Sequence, residues 1–111
     1  MKLYLTKTRS SIKAAAEYDV ENKSFVVLKG SVISEVIAYS EKFRGAKSIE
    51  KSRVGVVDGT RAIKNVPFKS ASTAANFVTG ASTNGLTAWK DESGKTLKAI
   101  LAEMEGNNEQ N

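Results

Sequence analysis

The sequence predicts an α+β domain: a small antiparallel sheet, begun by an N-terminal hairpin, packed against two or three helices. Three observations carry this expectation. Ile12, Ala14, Ala16, Tyr18 and Val20 alternate with more polar positions, the period-two pattern of a half-buried strand. The polar turn Glu21-Asn22-Lys23 and the apolar run Phe25-Val26-Val27-Leu28 follow at once, which completes an antiparallel hairpin. Further on, residues 68–90 read as a capped helix, a polar glycine loop and a return segment that ends at the single tryptophan. The rest of the chain is organised around that stretch.

Taken in order, Lys2 to Lys7 is a short strand with Leu3 and Leu5 on one face and Tyr4 on the other. The hairpin comes next and Gly30-Ser31 ends it. Val32, Ile33, Val36 and Ile37 fit one side of a helix, yet such a β-branched run also suits a strand. From Ser40 the helical reading strengthens, because Tyr39, Phe43, Ala46 and Ile49 recur at helical spacing. Gly45 costs that helix about 1 kcal/mol relative to alanine. Val54, Val56 and Val57 fit a short strand or a buried helix exit, Asp58-Gly59 marks a turn, and residues 61–68 form another short strand with Pro67 near its end.

Ser70 is a natural N-cap, since its hydroxyl can accept from the free amides of the first turn. Ala71, Ala74, Ala75 and Val78 give the helix a small-residue stripe with Phe77 beside it, and Gly80 stands where a left-handed cap is needed. Asn84-Gly85 gives a tight-turn signal before Leu86 and Trp89 return to the core. After the turn at Asp91-Glu92-Ser93-Gly94, Thr96, Leu97, Ile100, Leu101 and Met104 space as a last amphipathic helix. Residues 1–105 thus make a single domain and residues 106–111 a disordered polar tail.

Composition excludes more than it assigns. The 111 residues include neither cysteine nor histidine. Disulfides, thiolate or imidazole zinc sites, and Ser-His-Asp or Cys-His nucleophilic sites are therefore ruled out. Two near-matches to a phosphate loop fail. The six residues from Gly80 to Gly85 have the glycine spacing but continue as Leu86-Thr87, and Gly94-Lys95-Thr96 has the ending but Trp89 in the first glycine's place. Asp91 and Glu92 are sequence neighbours, which suits a charged turn better than converging catalytic carboxylates. The expectation is no enzyme, no catalytic residue, no metal and no cofactor. No apolar run approaches the roughly 20 residues that span a bilayer, and the apolar stretch after Met1 is too short for a secretory signal. A cytoplasmic location, away from membranes, is expected.

The net charge of +5 is uneven. Between residues 42 and 69 lie Lys42, Arg44, Lys47, Lys51, Arg53, Arg61, Lys64 and Lys69 against Glu50 and Asp58, a net +6 that leaves the remainder close to −1. Such a window suits an anionic partner, nucleic acid first, although lysines also simply solvate helix faces. Trp89 could stack on a base with Lys90 beside it on a phosphate, but a lone tryptophan more often anchors a core. Ser82 and Asn84 have the chemistry to touch base edges, as well as to build turns.

At these residues the chain resembles a known family. Phe25-Val26-Val27-Leu28-Lys29-Gly30-Ser31 resembles the Phe-Val-Val-Leu-Lys-Gly-Ser motif of domain of unknown function 4357. Phe68 with Ser70-Ala71-Ser72-Thr73-Ala74-Ala75 is similar to its Phe-x-Ser-Pro-Ser-Ala-Ala-Ala pattern. Asn84-Gly85, Trp89-Lys90-Asp91 and Gly94-Lys95-Thr96-Leu97 are similar to its Asn-Gly-Trp, Trp-Lys-Asp and Gly-Lys-Thr-Leu ending. The resemblance covers roughly residues 12–101.

The family resembles a module that follows GIY-YIG nuclease domains, and its motifs resemble the restriction-enzyme and adenine-methylase-associated domain, proposed to read modified DNA. The resemblance therefore implies a non-catalytic accessory module. It would bind double-stranded DNA through the residue 42–69 cations with Ser82, Asn84, Trp89 and Lys90 near the groove. The alternative is a module that docks to a nuclease or methylase, for which an exposed apolar patch in residues 32–39 is expected. Three departures stand out: Ala71 replaces a proline, Leu86 the tryptophan after Asn-Gly, and Ala81 an arginine. The last two take a ring and a cation from the loop best placed to touch DNA.

Overall fold

Strand β1 (Lys2–Lys7) buries Leu3 and Leu5, and β2 (Ile12–Asp19) buries Ile12, Ala14 and Ala16, as period-two alternation requires. Each apolar set faces the same side, so pairing Lys2 with Glu17 through to Lys7 with Ile12 puts both sets on one core. Strand β3 (Ser24–Val27) returns antiparallel, its turn held by Asp19, whose carboxylate accepts from the Glu21 and Asn22 amides. The structure, a computed structural model, describes residues 1–37 and 46–109, with side chains described as far as Glu105. Over these residues it is an α+β fold.

Helix α1 (Ala46–Arg53) leads into a small hairpin of β4 (Val57–Asp58) and β5 (Arg61–Ala62), and β6 (Val66–Phe68) then joins the main sheet beside β3. The main sheet has the order β1-β2-β3-β6 and the hairpin forms a second, two-stranded sheet. Val32 links the two by pairing with Lys13 on one side and Arg61 on the other. Helix α2 (Ala71–Thr79) lies across the sheet, followed by α3 (Gly85–Ala88) and α4 (Leu97–Glu109). Ala74, Ala75, Phe77 and Val78 meet Leu3, Leu5, Phe25 and Val27 in one core, with Trp89 and Leu97 closing the end.

Both caps of α2 form as its sequence requires. Ser70 Oγ accepts from the Thr73 amide at 3.1 Å, and Gly80 takes φ 73° with its amide on Asn76 O. A Cβ on Gly80 would also strike the Val36 carbonyl, so no other residue fits there.

Several expectations need correction. Asn84-Gly85 does not make a tight turn: Asn84 caps α3, its side chain accepting from the Leu86 amide, and Gly85 lets α3 press on the backbone of Ala71. Leu86 does not return to the core; it is exposed while Trp89 is buried. The expected strand over residues 61–68 is broken after Ala62 and resumes at Val66, and exposed Val54 lies in a turn. The backbone of residues 106–109, expected as disordered tail, continues α4. The strand alternative holds at Val32, and of the expected apolar patch Ile33 is buried while Val36 is exposed. The first part of the expected helix and residues 38–39 of that patch lie outside the described residues. Among the described residues no helix is long and apolar enough to cross a membrane.

Candidate functional site

The open face of the main sheet, turned away from α2, gathers side chains that the chain keeps far apart. Residues directly opposite one another on paired strands project to the same side. One row therefore runs Lys2, Glu17, Val26, Pro67. The next runs Lys90, Tyr4, Ala15, because the Tyr4 amide donates to Lys90 O at 2.7 Å and the Lys90 amide to Tyr4 O at 2.9 Å, while Tyr4 pairs with Ala15. Leu28 continues it, donating its amide to Ala15 O. The third runs Thr6, Lys13, Val32, Arg61.

Ala15 makes the middle of this face low. Its methyl group stands between the Tyr4 ring and Leu28, and the depression there is a cavity of about 440 Å³. Lys2, Lys13, Lys29 and Arg61 line it, and no carboxylate does among the described residues. The nearest acid in the rows is Glu17, whose Oε1 accepts from the Met1 amine at 3.0 Å. Ser31 closes the inner end. It is buried, and its hydroxyl accepts from the Ala15 amide at 3.0 Å and donates to Ala15 O at 3.2 Å, standing in for a strand partner where β3 has ended. A second cavity of about 350 Å³ lies on the other side of Tyr4, lined also by Lys90, Asp91 and Glu92. Asp91 Oδ1 accepts from the Ser93 and Lys95 amides and the Ser93 hydroxyl, and these bonds, led by the Ser93 side chain, hold its carboxyl below the ordinary 3.8.

The residues singled out from the sequence divide sharply. Arg61 and Lys90 belong to the open face. Trp89 does not: it is 0% exposed, tilted against Phe25 at 5.0 Å, with Nε1 donating to Ala71 O at 3.0 Å. Its ring is a core anchor and has no side open to a base. Lys90 follows it on the opposite side, as strand alternation dictates. Arg53 is also engaged internally. Its Nε and Nη2 donate to Phe77 O at 3.2 and 2.7 Å and Nη1 to Ser34 O at 2.9 Å, so the guanidinium caps the C-terminus of α2. Burial pushes its pKa down from the ordinary arginine value, though it stays charged at neutral pH.

Lys47 and Lys51 are exposed one turn apart on α1, Lys64 is exposed between β5 and β6, and Lys69 is exposed just before α2. Lys51, Arg53, Arg61 and Lys64 therefore do not make one strip of free cations. Asn84 serves as a cap and Ser82 is exposed in the loop before it. Lys42 and Arg44 lie outside the described residues. Lys2, Lys13 and Lys29 line the same cavity from outside the basic window. The alternation that sets Tyr4 opposite Leu3 and Leu5 also sets Lys2 beside Tyr4, and the one that buries Ile12 and Ala14 sets Lys13 on that face, whereas no such signal marks Lys29.

Among the described residues no group of three or more histidines, cysteines, aspartates or glutamates could hold a metal ion. The fold and this face define a small α+β module whose helix-backed sheet presents cations on its free side. The model of the family described as Domain of unknown function (DUF4357) matches residues 5–101, and the chain belongs to that family. No curated protein and no solved structure matches it.

Proposed function

We propose that this chain is a non-catalytic DNA-binding accessory module that works in a nuclease or restriction-modification setting, and that it holds DNA on the open face of its sheet. One observation carries the reading: a cavity lined by Lys2, Lys13, Lys29 and Arg61 and, among the described residues, by no carboxylate, with Lys90 beyond Tyr4 in the same row. Four cations converging from β1, β2, the β3 exit and β5 give a positive field over a concave surface, the electrostatic footprint of a phosphate-binding site. The link to modified DNA comes from the family resemblance.

The test is a fluorescence-anisotropy titration of labelled DNA, unmodified and adenine-methylated, at two salt concentrations. Binding should weaken steeply with salt, and Lys13→Gln with Arg61→Gln should abolish most of it while leaving the melting temperature unchanged. A preference for methylated DNA would support a sensing role. No binding at low salt would overturn the reading. A second reading, docking to a nuclease or methylase, draws on a shallow apolar groove of about 540 Å³ that Pro67 and Phe68 line between α1 and α2. Pull-down of such a partner, lost on Phe68→Ser, would support it.

A further inference from the structure

We infer that the open face takes its DNA single-stranded, with one unpaired base laid on the Tyr4 ring and the neighbouring phosphates on Lys13, Lys29 and Arg61. The inference rests on the reading above and names the form of DNA that the face accepts.

Tyr4 is the aromatic ring in the three rows of the open face. Its cross-strand neighbour is only a methyl group, Ala15, so no tall side chain on β2 crowds it. Leu28 and Val32 add apolar surface to the same cavity. A ring beside an apolar floor, with cations around it, matches what a nucleotide offers: a flat π-face to stack and a charge to neutralise. Lys2 Nζ lies 6.0 Å from the Tyr4 centroid, the outer limit of a cation–π contact, so it holds the ring weakly and can move to a phosphate.

The two cavities that meet at Tyr4 set the strand's direction of approach. The larger has four cations and, among the described residues, no carboxylate; the smaller has Asp91 and Glu92 against the single cation Lys90, and the Tyr4 hydroxyl donates to Glu92 Oε1 at 3.4 Å. The net charge favours phosphates on the first side over the second, which leaves the base between them on the ring. Duplex DNA cannot use this arrangement. Its bases are stacked on one another, and its major groove admits a protruding helix or ribbon, whereas Tyr4 lies between depressions in a sheet. A duplex would have to lean on the protruding lysines of α1.

The test compares a labelled single strand with its duplex in the same anisotropy assay, using wild type, Tyr4→Phe, Tyr4→Leu and Glu92→Gln. The single strand should bind about 10-fold tighter or more. Tyr4→Leu should weaken it by a similar factor with the salt slope unchanged, Tyr4→Phe should bind as wild type, and Glu92→Gln should bind about twofold tighter by removing a like charge. Because Tyr4→Leu could disturb β1, a strand carrying 2-aminopurine provides a readout on the wild-type protein, its emission falling as the base stacks. Duplex preference, or 2-aminopurine emission unchanged at saturation, would overturn the inference while salt-dependent binding preserves the DNA reading. Absence of binding by either form at low salt would overturn both.

Discussion

The two sides of the sheet use polar and charged groups in opposite ways. On the helix side they are engaged inside the molecule: Trp89 Nε1 on Ala71 O, Arg53 on Phe77 O and Ser34 O, Asn84 on the Leu86 amide, Ser72 Oγ on the Gly85 amide, Asn76 Oδ1 on the Thr83 amide. On the open side Lys2, Lys13, Lys29 and Arg61 surround a cavity with no carboxylate among the described residues. The first pattern holds a fold together. The second leaves charge facing solvent, where it can act on a partner. Motif density misleads here, since Ser70, Ser72, Asn84, Gly85 and Trp89 all lie on the structural side.

Changes to groups engaged inside the molecule should therefore lower stability, and changes to the open-face cations should lower binding alone. The largest loss is expected at the α2–α3 contact. Trp89→Ala should cost about 3–5 kcal/mol, and Gly85→Ala should cost several as well, because its Cβ would meet the Ala71 carbonyl carbon and the Ser72 amide nitrogen. Chemical denaturation would read both. Arg53→Ala comes next at about 2 kcal/mol, since it orphans two carbonyls that its charged guanidinium now satisfies. A stable Arg53→Ala with impaired DNA binding would break the comparison, because it would return Arg53 to the open side. Ser31→Ala, which leaves the Ala15 amide without its hydroxyl partner, should cost about 1–2 kcal/mol.

A smaller effect concerns acid. Asp19 is held below the ordinary 3.8 chiefly by the Asn22 side chain, and Asp91 by Ser93. A lowered folded value means the ionised form stabilises. That stability is fully present above about 3.8 and is lost as pH falls through the lower folded value. Asp91→Asn should therefore destabilise at neutral pH and make no difference once Asp91 is protonated. Thermal melts from neutral pH down to about pH 2 would show the two curves converge.

Local features were legible in the sequence because each depends on near neighbours. Strand β1, the hairpin, and the Ser70 and Gly80 caps of α2 follow from period, turn chemistry and the left-handed freedom of glycine. The Asn84-Gly85 pair misled because a cap and a tight turn use the same residue types; Gly85 is needed for the approach to Ala71, which is a tertiary fact. The place of Arg53 was not legible for a similar reason. Sequence proximity grouped Arg53 with Arg61, but folding directs Arg53 into the α2 terminus and Arg61 through Val32 to Lys13. Lys90 joins Tyr4 across 86 positions through one pair of backbone bonds, a contact that no local pattern encodes.

The most direct test of the account is the amide chemical-shift map of the ¹⁵N-labelled chain on adding DNA. Perturbations should centre on Lys2, Tyr4, Lys13, Ala15, Arg61 and Lys90, with Arg53 and Trp89 little changed. Shifts confined to α1 and the loop around Ser82 and Asn84, with a silent open face, would contradict the account and return the site to the helix side.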